Sequence, residues 1–341
     1  MRPLKYLLAY SLPVTVAVSF SAQGWLCYLP LLYGFGFIPL VDQWVGPSRK
    51  NLSAAEISSA KENRWYDVII YLALPVQLMM LGWFLVVVQQ PMPTADLVGK
   101  ITAMGMMCGV LGINVAHELG HRTRRYERGM AKVLLATSLY MHFYIEHNKG
   151  HHRNVGTSGD GATARRNEGL YVFWMRTLVQ SFRSAWEITT KELRRKKQPV
   201  VSVHNEMLMM LLLQIGLCAG VFWLFSMHVL MCFLGAALMG ILLLETVNYI
   251  EHYGLYRVKV SEFRYEDVEP EHSWNSDHAL GRLVLFELTR HSDHHWEPSK
   301  HYQALSSMQG ALQLPAGYPA MMLLSLFPPI WFKLMNPRLP K

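Results

Sequence analysis

Six segments of the chain remain apolar for about 20 residues at a stretch and carry almost no charge. A segment of that length can cross the ~30 Å hydrocarbon core of a bilayer as an α-helix. Inside a bilayer the backbone must satisfy its own hydrogen bonds, which a helix does within a single segment. The pattern therefore predicts six transmembrane helices, at about residues 4–22, 24–41, 67–90, 97–117, 207–226 and 228–250.

The connections between these segments alternate between very short and very long. The links at 23, 91–96 and 227 are so short that the six helices are predicted to form three hairpins. The long polar stretches, 42–66, 118–206 and 251–341, then lie together on the other side of the membrane. We expect a single all-α membrane domain, residues 1–341, with a histidine-rich catalytic cap built from 118–206 and 251–341.

Basic residues are distributed very unevenly between the two sides. Of the 32 Lys and Arg residues, only Lys100 falls on the side of the short links. An excess of Lys and Arg marks the cytoplasmic side of a membrane protein. Both termini and the cap are therefore predicted to be cytoplasmic.

The net charge of +8 has two interpretations. One is the orientation bias itself, together with attraction to anionic membrane lipids. The other is a docking face for an acidic protein, which the only dense basic run would provide: Arg194, Arg195, Lys196 and Lys197. Nucleic acid is not expected as a partner, because no recognised binding motif accompanies the charge.

Nine of the 15 histidines fall into four groups. The groups are His117 and His121; His147, His151 and His152; His252; and His291, His294 and His295. Residues four apart lie one above the other on a helix, so the pairs at that spacing are predicted to reach one ion. His152 and His294 each add an imidazole turned by one residue, which suits a second ion beside the first.

Nine imidazoles are too many for a structural zinc site, which takes four ligands. Two ions with four or five nitrogens each are therefore expected, at the cytoplasmic ends of the fourth and sixth spans. Neutral imidazole suits zinc, copper, iron and nickel alike. A redox-inert pair would serve hydrolysis, whereas oxygen chemistry requires iron or copper.

Carboxylates flank the histidines and permit a second interpretation. HELGH at 117–121 matches the H-E-x-x-H motif of zinc proteases, in which Glu118 would be the general base. A protease would leave six of the nine histidines without a role, so we expect Glu118, Glu251 and Asp293 to orient imidazoles instead. Glu251 is also a candidate to bind the metal itself. A metal transporter would place histidines along a path through the membrane, but here they gather at one face.

The histidine groups resemble those of the integral-membrane non-haem di-iron alkane hydroxylases, relatives of xylene monooxygenase and the membrane fatty-acid desaturases. The resemblance rests on HELGH, EHNKGHH, NYIEHYGL and LTRHSDHH, with PEHSWNS at 270–276, and runs from about residue 60 to 315. NYIEHYGL and LTRHSDHH favour the alkane hydroxylase branch. Asp277 departs from the Asn expected after PEHSWNS.

The resemblance implies two irons held by the nine histidines in a bacterial inner-membrane enzyme. It also implies hydroxylation of the terminal methyl group of alkanes with O2, using electrons from a rubredoxin that an NADH-dependent reductase serves. Rubredoxins are acidic, which would suit the basic run at 194–197. A fatty-acyl desaturase or an alkylbenzene hydroxylase on the same chemistry remains the alternative.

An alkane substrate has no polar group, so its affinity must come from apolar burial, worth ~0.8 kcal/mol per methylene. We expect it to enter from the lipid along a channel between the helices. Candidate wall residues are Tyr33, Gly34 and Phe37 in the second span and Met104 and Met107 in the fourth. Close helix packing through small residues is the other interpretation of Gly34.

Overall fold

The computed structural model describes residues 2–262 and 264–340. Six of its helices are long and apolar enough to span a membrane. In chain order these first to sixth membrane helices are Pro3–Ser21, Gly24–Val45, Trp65–Val87, Thr94–Gly120, Glu206–Leu224 and Met227–His252. The predicted fold class is confirmed, and the predicted ends differ from the observed ones by only a few residues.

Three short π-helical segments interrupt the regular helices. They are Tyr33–Phe37 in the second membrane helix, Cys108–Ile113 in the fourth, and His147–His151 in the cap. A π-turn widens the helix locally and changes which side chains lie above one another; such turns are frequent at functional sites. Each of the three contains or borders a residue that the sequence singles out.

The fourth membrane helix lies at the centre of the bundle and packs closely against the sixth. A Cβ atom added to Gly240 would lie 2.5 Å from Cys108 Cβ and 3.0 Å from the backbone nitrogen of Gly109. Small residues allow two membrane helices to approach this closely. The contact brings the cap-side ends of the two helices together, where His117 and His252 lie.

The cap is made of shorter helices with very little sheet. Its helices are Ala54–Glu62, Arg125–Thr137, Phe143–Glu146, His152–Asn154, Leu170–Arg195, Ala279–Val284, His291–Trp296, Tyr318–Ser325 and Pro328–Met335, with 3-10 turns at Pro270–His272, Tyr302–Ala304 and Asn336–Arg338. Strands Lys259–Ser261 and Arg264–Tyr265 pair antiparallel, and Trp274–Asn275 and Leu312–Gln313 pair parallel.

Buried charges fasten the cap to the membrane helices. Asp42, in the second membrane helix, accepts hydrogen bonds from the backbone N–H groups of Leu280 (2.7 Å) and Gly281 (3.0 Å). Asp277, which stands where Asn was expected, is buried 3.4 Å from Arg290 Nε and accepts a hydrogen bond from Ser307. Its contacts belong to this charged network and hold in place the segment that leads into His291.

Lys100 is buried at the opposite end of the bundle. Its ammonium donates hydrogen bonds to the carbonyls of Ser19 (2.7 Å), Phe20 (3.0 Å) and Ala22 (2.8 Å), at the end of the first membrane helix. These carbonyls lack partners within their own helix and carry the negative end of its dipole. Lys100 thus joins the first hairpin to the fourth membrane helix.

Candidate metal centre

All nine histidines converge into two adjacent clusters of possible metal ligands. In each cluster the ligand atoms lie within 4.8 Å of one another. The first, called the five-histidine cluster, contains His117, His121, His147, His152 and His294; the second, the four-histidine cluster, contains His151, His252, His291 and His295. The expected division into four and five nitrogens is thus present.

The histidines of both clusters meet through their Nε2 atoms. In the five-histidine cluster the Nε2 of His152 lies 2.9 Å from that of His147, 3.1 Å from that of His294 and 3.2 Å from that of His121. In the four-histidine cluster His295 Nε2 lies 2.9 Å from His291 Nε2 and 3.2 Å from His151 Nε2.

These spacings fit nitrogen ligands that share an ion. With a metal–nitrogen bond of about 2.0–2.1 Å, ligands at right angles lie about 2.9 Å apart and tetrahedral ligands about 3.3 Å apart. The observed contacts of 2.9–3.2 Å lie within this range. The spacing is therefore that of imidazoles around a common ion, and the five ligands of the first cluster exceed the four of a structural zinc site.

Neighbouring histidines of one group serve different clusters. His147 and His152 lie in the five-histidine cluster, whereas His151, between them, lies in the four-histidine cluster. The prediction that His147 and His151 reach one ion is therefore wrong. The reason is the π-turn over His147–His151, in which the His152 N–H bonds the His147 carbonyl five residues back. His294 and His295 divide as the sequence predicts.

Two carboxylates lie beside the Nδ1 atoms of ligand imidazoles. His151 Nδ1 donates to Asp160, 3.0 Å from Oδ2, and Asp160 is completely enclosed by Thr163 and the surrounding loop. Glu251 Oε1 lies 3.3 Å from His291 Nδ1 and accepts a hydrogen bond from the Tyr318 hydroxyl. The hydrogen bond to Asp160 fixes the tautomer and orientation of the His151 imidazole, whereas His291 Nδ1 lies near Glu251 without a hydrogen bond. Sequence reasoning missed Asp160, which follows its histidine by nine residues in an irregular loop.

The other two candidate carboxylates contact cations instead of imidazoles. Glu118 accepts a hydrogen bond from Arg122 Nε at 2.9 Å and another from the Tyr302 N–H. Asp293 accepts from Lys300 Nζ at 2.7 Å and from the backbone of Ser306. The expectation that Glu118 and Asp293 orient imidazoles is therefore wrong in this structure. With its charge held by Arg122, Glu118 is also poorly suited to act as a protease base.

Burial keeps most of the imidazoles neutral, as metal ligands must be. It lowers the pKa of His121 to about 3 and holds the pKa of His147, His152 and His294 well below the ordinary value, with neighbouring imidazoles adding to the effect. His151 is the exception. Burial opposes its charge most strongly, but the carboxylates of Asp160, Glu146 and Glu245 together raise the pKa of His151.

The two clusters differ in their access to the surface. All four members of the four-histidine cluster are buried. In the five-histidine cluster His121 and His152 are partly exposed. Lys149, near His152, forms an ion pair of 2.8 Å with Glu192, which lies on the last turns of the long helix Leu170–Arg195. The basic run at 194–197 follows directly and is exposed.

An apolar cavity leads from the membrane helices towards the clusters. Beyond it lies a smaller space that is bordered by His117, His147 and His291, from both clusters. Four residues line both spaces: Asn114, Leu244, Val247 and Leu288. An apolar molecule in the large cavity therefore has its inner end beside both clusters.

The predicted channel residues divide between the cavity wall and other surroundings. Tyr33 and Gly34 line the large cavity. Phe37 is 53% exposed on the outer side of the second membrane helix, and Met104 and Met107 are buried in the packing of the fourth. Met106 lines the cavity in their place. The prediction for Phe37, Met104 and Met107 is therefore wrong: their helix faces turn away from the cavity.

The six membrane helices and the two histidine clusters define a class of multi-pass membrane proteins with a histidine-bound metal centre. A family model supports this class. A model described as fatty acid desaturase matches residues 91–322, more than half of the chain. Among curated proteins, alkane 1-monooxygenase 1 of Alcanivorax borkumensis is 37% identical over 96% of this chain and 81% of its own length. Alkane 1-monooxygenase of Ectopseudomonas oleovorans is 39% identical over 93% of this chain and 80% of its own length.

A more distant relative is the hydroxylase component of xylene/toluene monooxygenase from Pseudomonas putida, 28% identical over 84% of this chain and 76% of its own length. The chain belongs to the alkane 1-monooxygenase family, within the wider group that the desaturase model describes. The predicted family and the prediction of a multi-pass membrane oxidoreductase are confirmed. A metalloprotease is thereby set aside.

Proposed function

We propose that this enzyme hydroxylates the terminal methyl group of alkanes to primary alcohols, using O2 and electrons from a rubredoxin. The observation that carries the proposal is the meeting of an apolar cavity with two all-nitrogen clusters. The reaction is R–CH3 + O2 + 2 e⁻ + 2 H⁺ giving R–CH2OH + H2O. One oxygen atom enters the C–H bond and the other leaves as water.

Two iron ions are the metals that this proposal requires. The nine histidines would hold them, with His117, His121, His147, His152 and His294 on one ion and His151, His252, His291 and His295 on the other. When bound, the iron pair supplies the oxygen activation that no side chain can provide, because an unactivated C–H bond offers nothing to an acid, base or nucleophile. Asp160 would fix the orientation of His151 through its hydrogen bond, and Glu251 lies beside His291.

The remaining contribution of the chain is to place and enclose the substrate. Leu244, Val247 and Leu288 provide apolar contact up to the edge of the clusters. Each buried methylene contributes about 0.8 kcal/mol of affinity. Because the inner space is smaller and lies at the end of the larger one, a chain is expected to present its terminal carbon there.

The electron donor is proposed to dock on the exposed basic run of Arg194, Arg195, Lys196 and Lys197. A rubredoxin is acidic, so charge complementarity would steer its approach. The nearby ion pair between Lys149 and Glu192 links this end of the helix to the segment that carries His152, a partly exposed histidine. A rubredoxin reductase that uses NADH would supply electrons to the rubredoxin.

The proposed location is the bacterial inner membrane, with both termini and the histidine clusters on the cytoplasmic side. The distribution of Lys and Arg supports this orientation, because the short links contain neither residue and the buried Lys100 alone lies near them, in the fourth membrane helix. Membrane lipid is then both the surroundings of the helices and the source of the apolar substrate.

An alkylbenzene is the second candidate substrate, favoured by the relative named xylene/toluene monooxygenase. A fatty-acyl desaturase would use the same site but remove a second hydrogen in place of adding oxygen. The product therefore decides between the three reactions: a primary alkanol, a benzylic alcohol or an alkene.

The test is metal analysis of the purified protein together with product identification under ¹⁸O₂. Octane, hexadecane and xylene are supplied separately, with rubredoxin and its reductase. The proposal expects two irons per chain and a 1-alkanol that carries one ¹⁸O atom. Zinc in place of iron, or products without ¹⁸O, would overturn it.

A further inference from the structure

Asn114 is a polar residue at the point where the cavities meet the metal clusters. It lines the large apolar cavity, the inner space beside His147 and His291, and a third space bordered by His117 and His294. It lies in the fourth membrane helix, one turn before His117, and is only 5% exposed. Most of the other residues around the large cavity are apolar.

One hydrogen bond fixes the orientation of the Asn114 amide. Its Nδ2 donates to the backbone carbonyl of Leu285 at 3.2 Å. A carbonyl can only accept, so the atom facing Leu285 must be the NH2 group and the amide oxygen must lie at the other end. Within residues 2–262 and 264–340, Oδ1 accepts no hydrogen bond from another residue.

An acceptor in this position distinguishes an alkane from the alcohol made from it. A methyl end has no donor for Oδ1, whereas a primary hydroxyl does. A hydroxyl that donates to Oδ1 adds a hydrogen bond that a methyl end cannot make. The interaction is therefore available only after the oxygen atom has been inserted.

We propose that Asn114 is a product-binding residue that accepts the hydrogen bond of the newly formed primary alcohol. This inference rests on the proposed alkane hydroxylation. The hydroxyl would be held beside Leu285 and the junction residues, while the alkyl chain remains in the apolar cavity. The site should then bind a 1-alkanol more tightly, relative to the alkane of equal length, than an entirely apolar junction would.

Tyr33 offers a matched control on the wall of the same cavity. Its hydroxyl lies 2.6 Å from Ser11 Oγ, so this polar group already has a partner. Removing the Tyr33 hydroxyl also makes the cavity more apolar, but it leaves the junction unchanged. A general effect of wall polarity would therefore appear in both variants, and a specific acceptor only in the Asn114 variants.

The experiment measures displacement of radiolabelled octane from the metal-loaded, detergent-solubilised enzyme by octane and by 1-octanol. The ratio of the two affinities is compared between wild type, Asn114→Leu, Asn114→Ala and Tyr33→Phe, so that partition into detergent cancels. Hexadecane and 1-hexadecanol replace the pair if the wild type hydroxylates hexadecane faster. Metal content is measured for every variant, and binding is compared among those that retain wild-type metal.

Loss of one neutral hydrogen bond should shift the ratio about fivefold against the alkanol in both Asn114 variants. Tyr33→Phe should leave the ratio near the wild-type value. An unchanged ratio in Asn114→Ala, or an equal shift in Tyr33→Phe, would overturn the inference. If octane and hexadecane give no ¹⁸O-labelled alkanol, the proposed function fails instead, so the two failures are separable.

Discussion

His147 and His151 lie one helical turn apart but contribute to different clusters: His147 Nε2 is 2.9 Å from His152 Nε2, whereas His151 Nε2 is 3.2 Å from His295 Nε2. The π-turn between them places His152, rather than His151, in the same cluster as His147. A five-residue segment thereby supplies ligands to both clusters.

Paired substitutions should show this division directly. His147→Ala/His152→Ala removes two ligands from one cluster and should leave about half of the bound iron, because the other ion keeps its ligands. His147→Ala/His151→Ala removes one ligand from each cluster and should leave less. Iron per chain is measured after purification, with the exposed His204→Ala as control. More iron in the second double variant than in the first would contradict the assignment.

Asp160 should strengthen metal binding through His151. Asp160→Ala removes the acceptor of the His151 Nδ1–H, and loss of such a partner typically costs about 10–100-fold in metal affinity. Asp160→Asn keeps an acceptor oxygen and should lose less. Retention of iron against a chelator series measures the effect, with the exposed Asp267→Asn as control. Equal retention in Asp160→Ala and wild type would show that Asp160 does not support the ligand.

Gly34→Trp should shift the substrate preference to shorter alkanes. A Cβ atom at Gly34 would lie 2.6 Å from Met106 Cε on the cavity wall, so an indole there must occupy cavity space. Each methylene that no longer fits should lower relative affinity about fourfold. Competition between alkanes of different length measures the profile.

Gly36→Trp is the matched control for that substitution. Gly36 lies two residues further along the same π-helical segment, and a Cβ atom there meets nothing within 4 Å. It should leave the chain-length profile unchanged. A profile that Gly34→Trp does not alter would show that this glycine serves helix packing alone.

Reversing the charge of Arg194, Arg195, Lys196 and Lys197 to Glu should slow electron delivery from rubredoxin at low salt by about tenfold or more, because steering depends on charge complementarity. High salt should reduce the difference. Electron delivery is measured as the rate at which the bound iron is reduced after mixing with reduced rubredoxin. Reversal of Lys259 and Arg264, exposed on the cap hairpin, is the control. An unchanged rate at low salt would place docking elsewhere.

The membrane helices were predictable because length and hydrophobicity decide them almost alone. A span needs about 20 apolar residues, and the chain offers six such segments with charged residues at their ends. The four histidine groups were predictable for a similar reason, since nine imidazoles gathered near one membrane face are typical of a metal centre. The presence of two clusters was predictable from the number of ligands, because nine imidazoles are too many for one ion.

The partners of the histidines were not predictable from local spacing. The π-turn at His147–His151 alters the helical period, which an argument from residues four apart assumes to be regular. Asp160 reaches His151 through the fold of a loop, and Glu118 turns to Arg122 because that guanidinium is buried beside it. The π-segment at Cys108–Ile113 begins next to the fourth-helix methionines, where Met106 and not Met104 or Met107 lines the cavity.

The contact of Lys100 with the end of the first membrane helix has a consequence for biosynthesis. An ammonium that enters the bilayer without partners is costly, and its partners here are the carbonyls of Ser19, Phe20 and Ala22. These carbonyls belong to the hairpin that is synthesised first. The first hairpin is therefore translated before Lys100, so that the carbonyl acceptors are present when the fourth helix inserts its lysine.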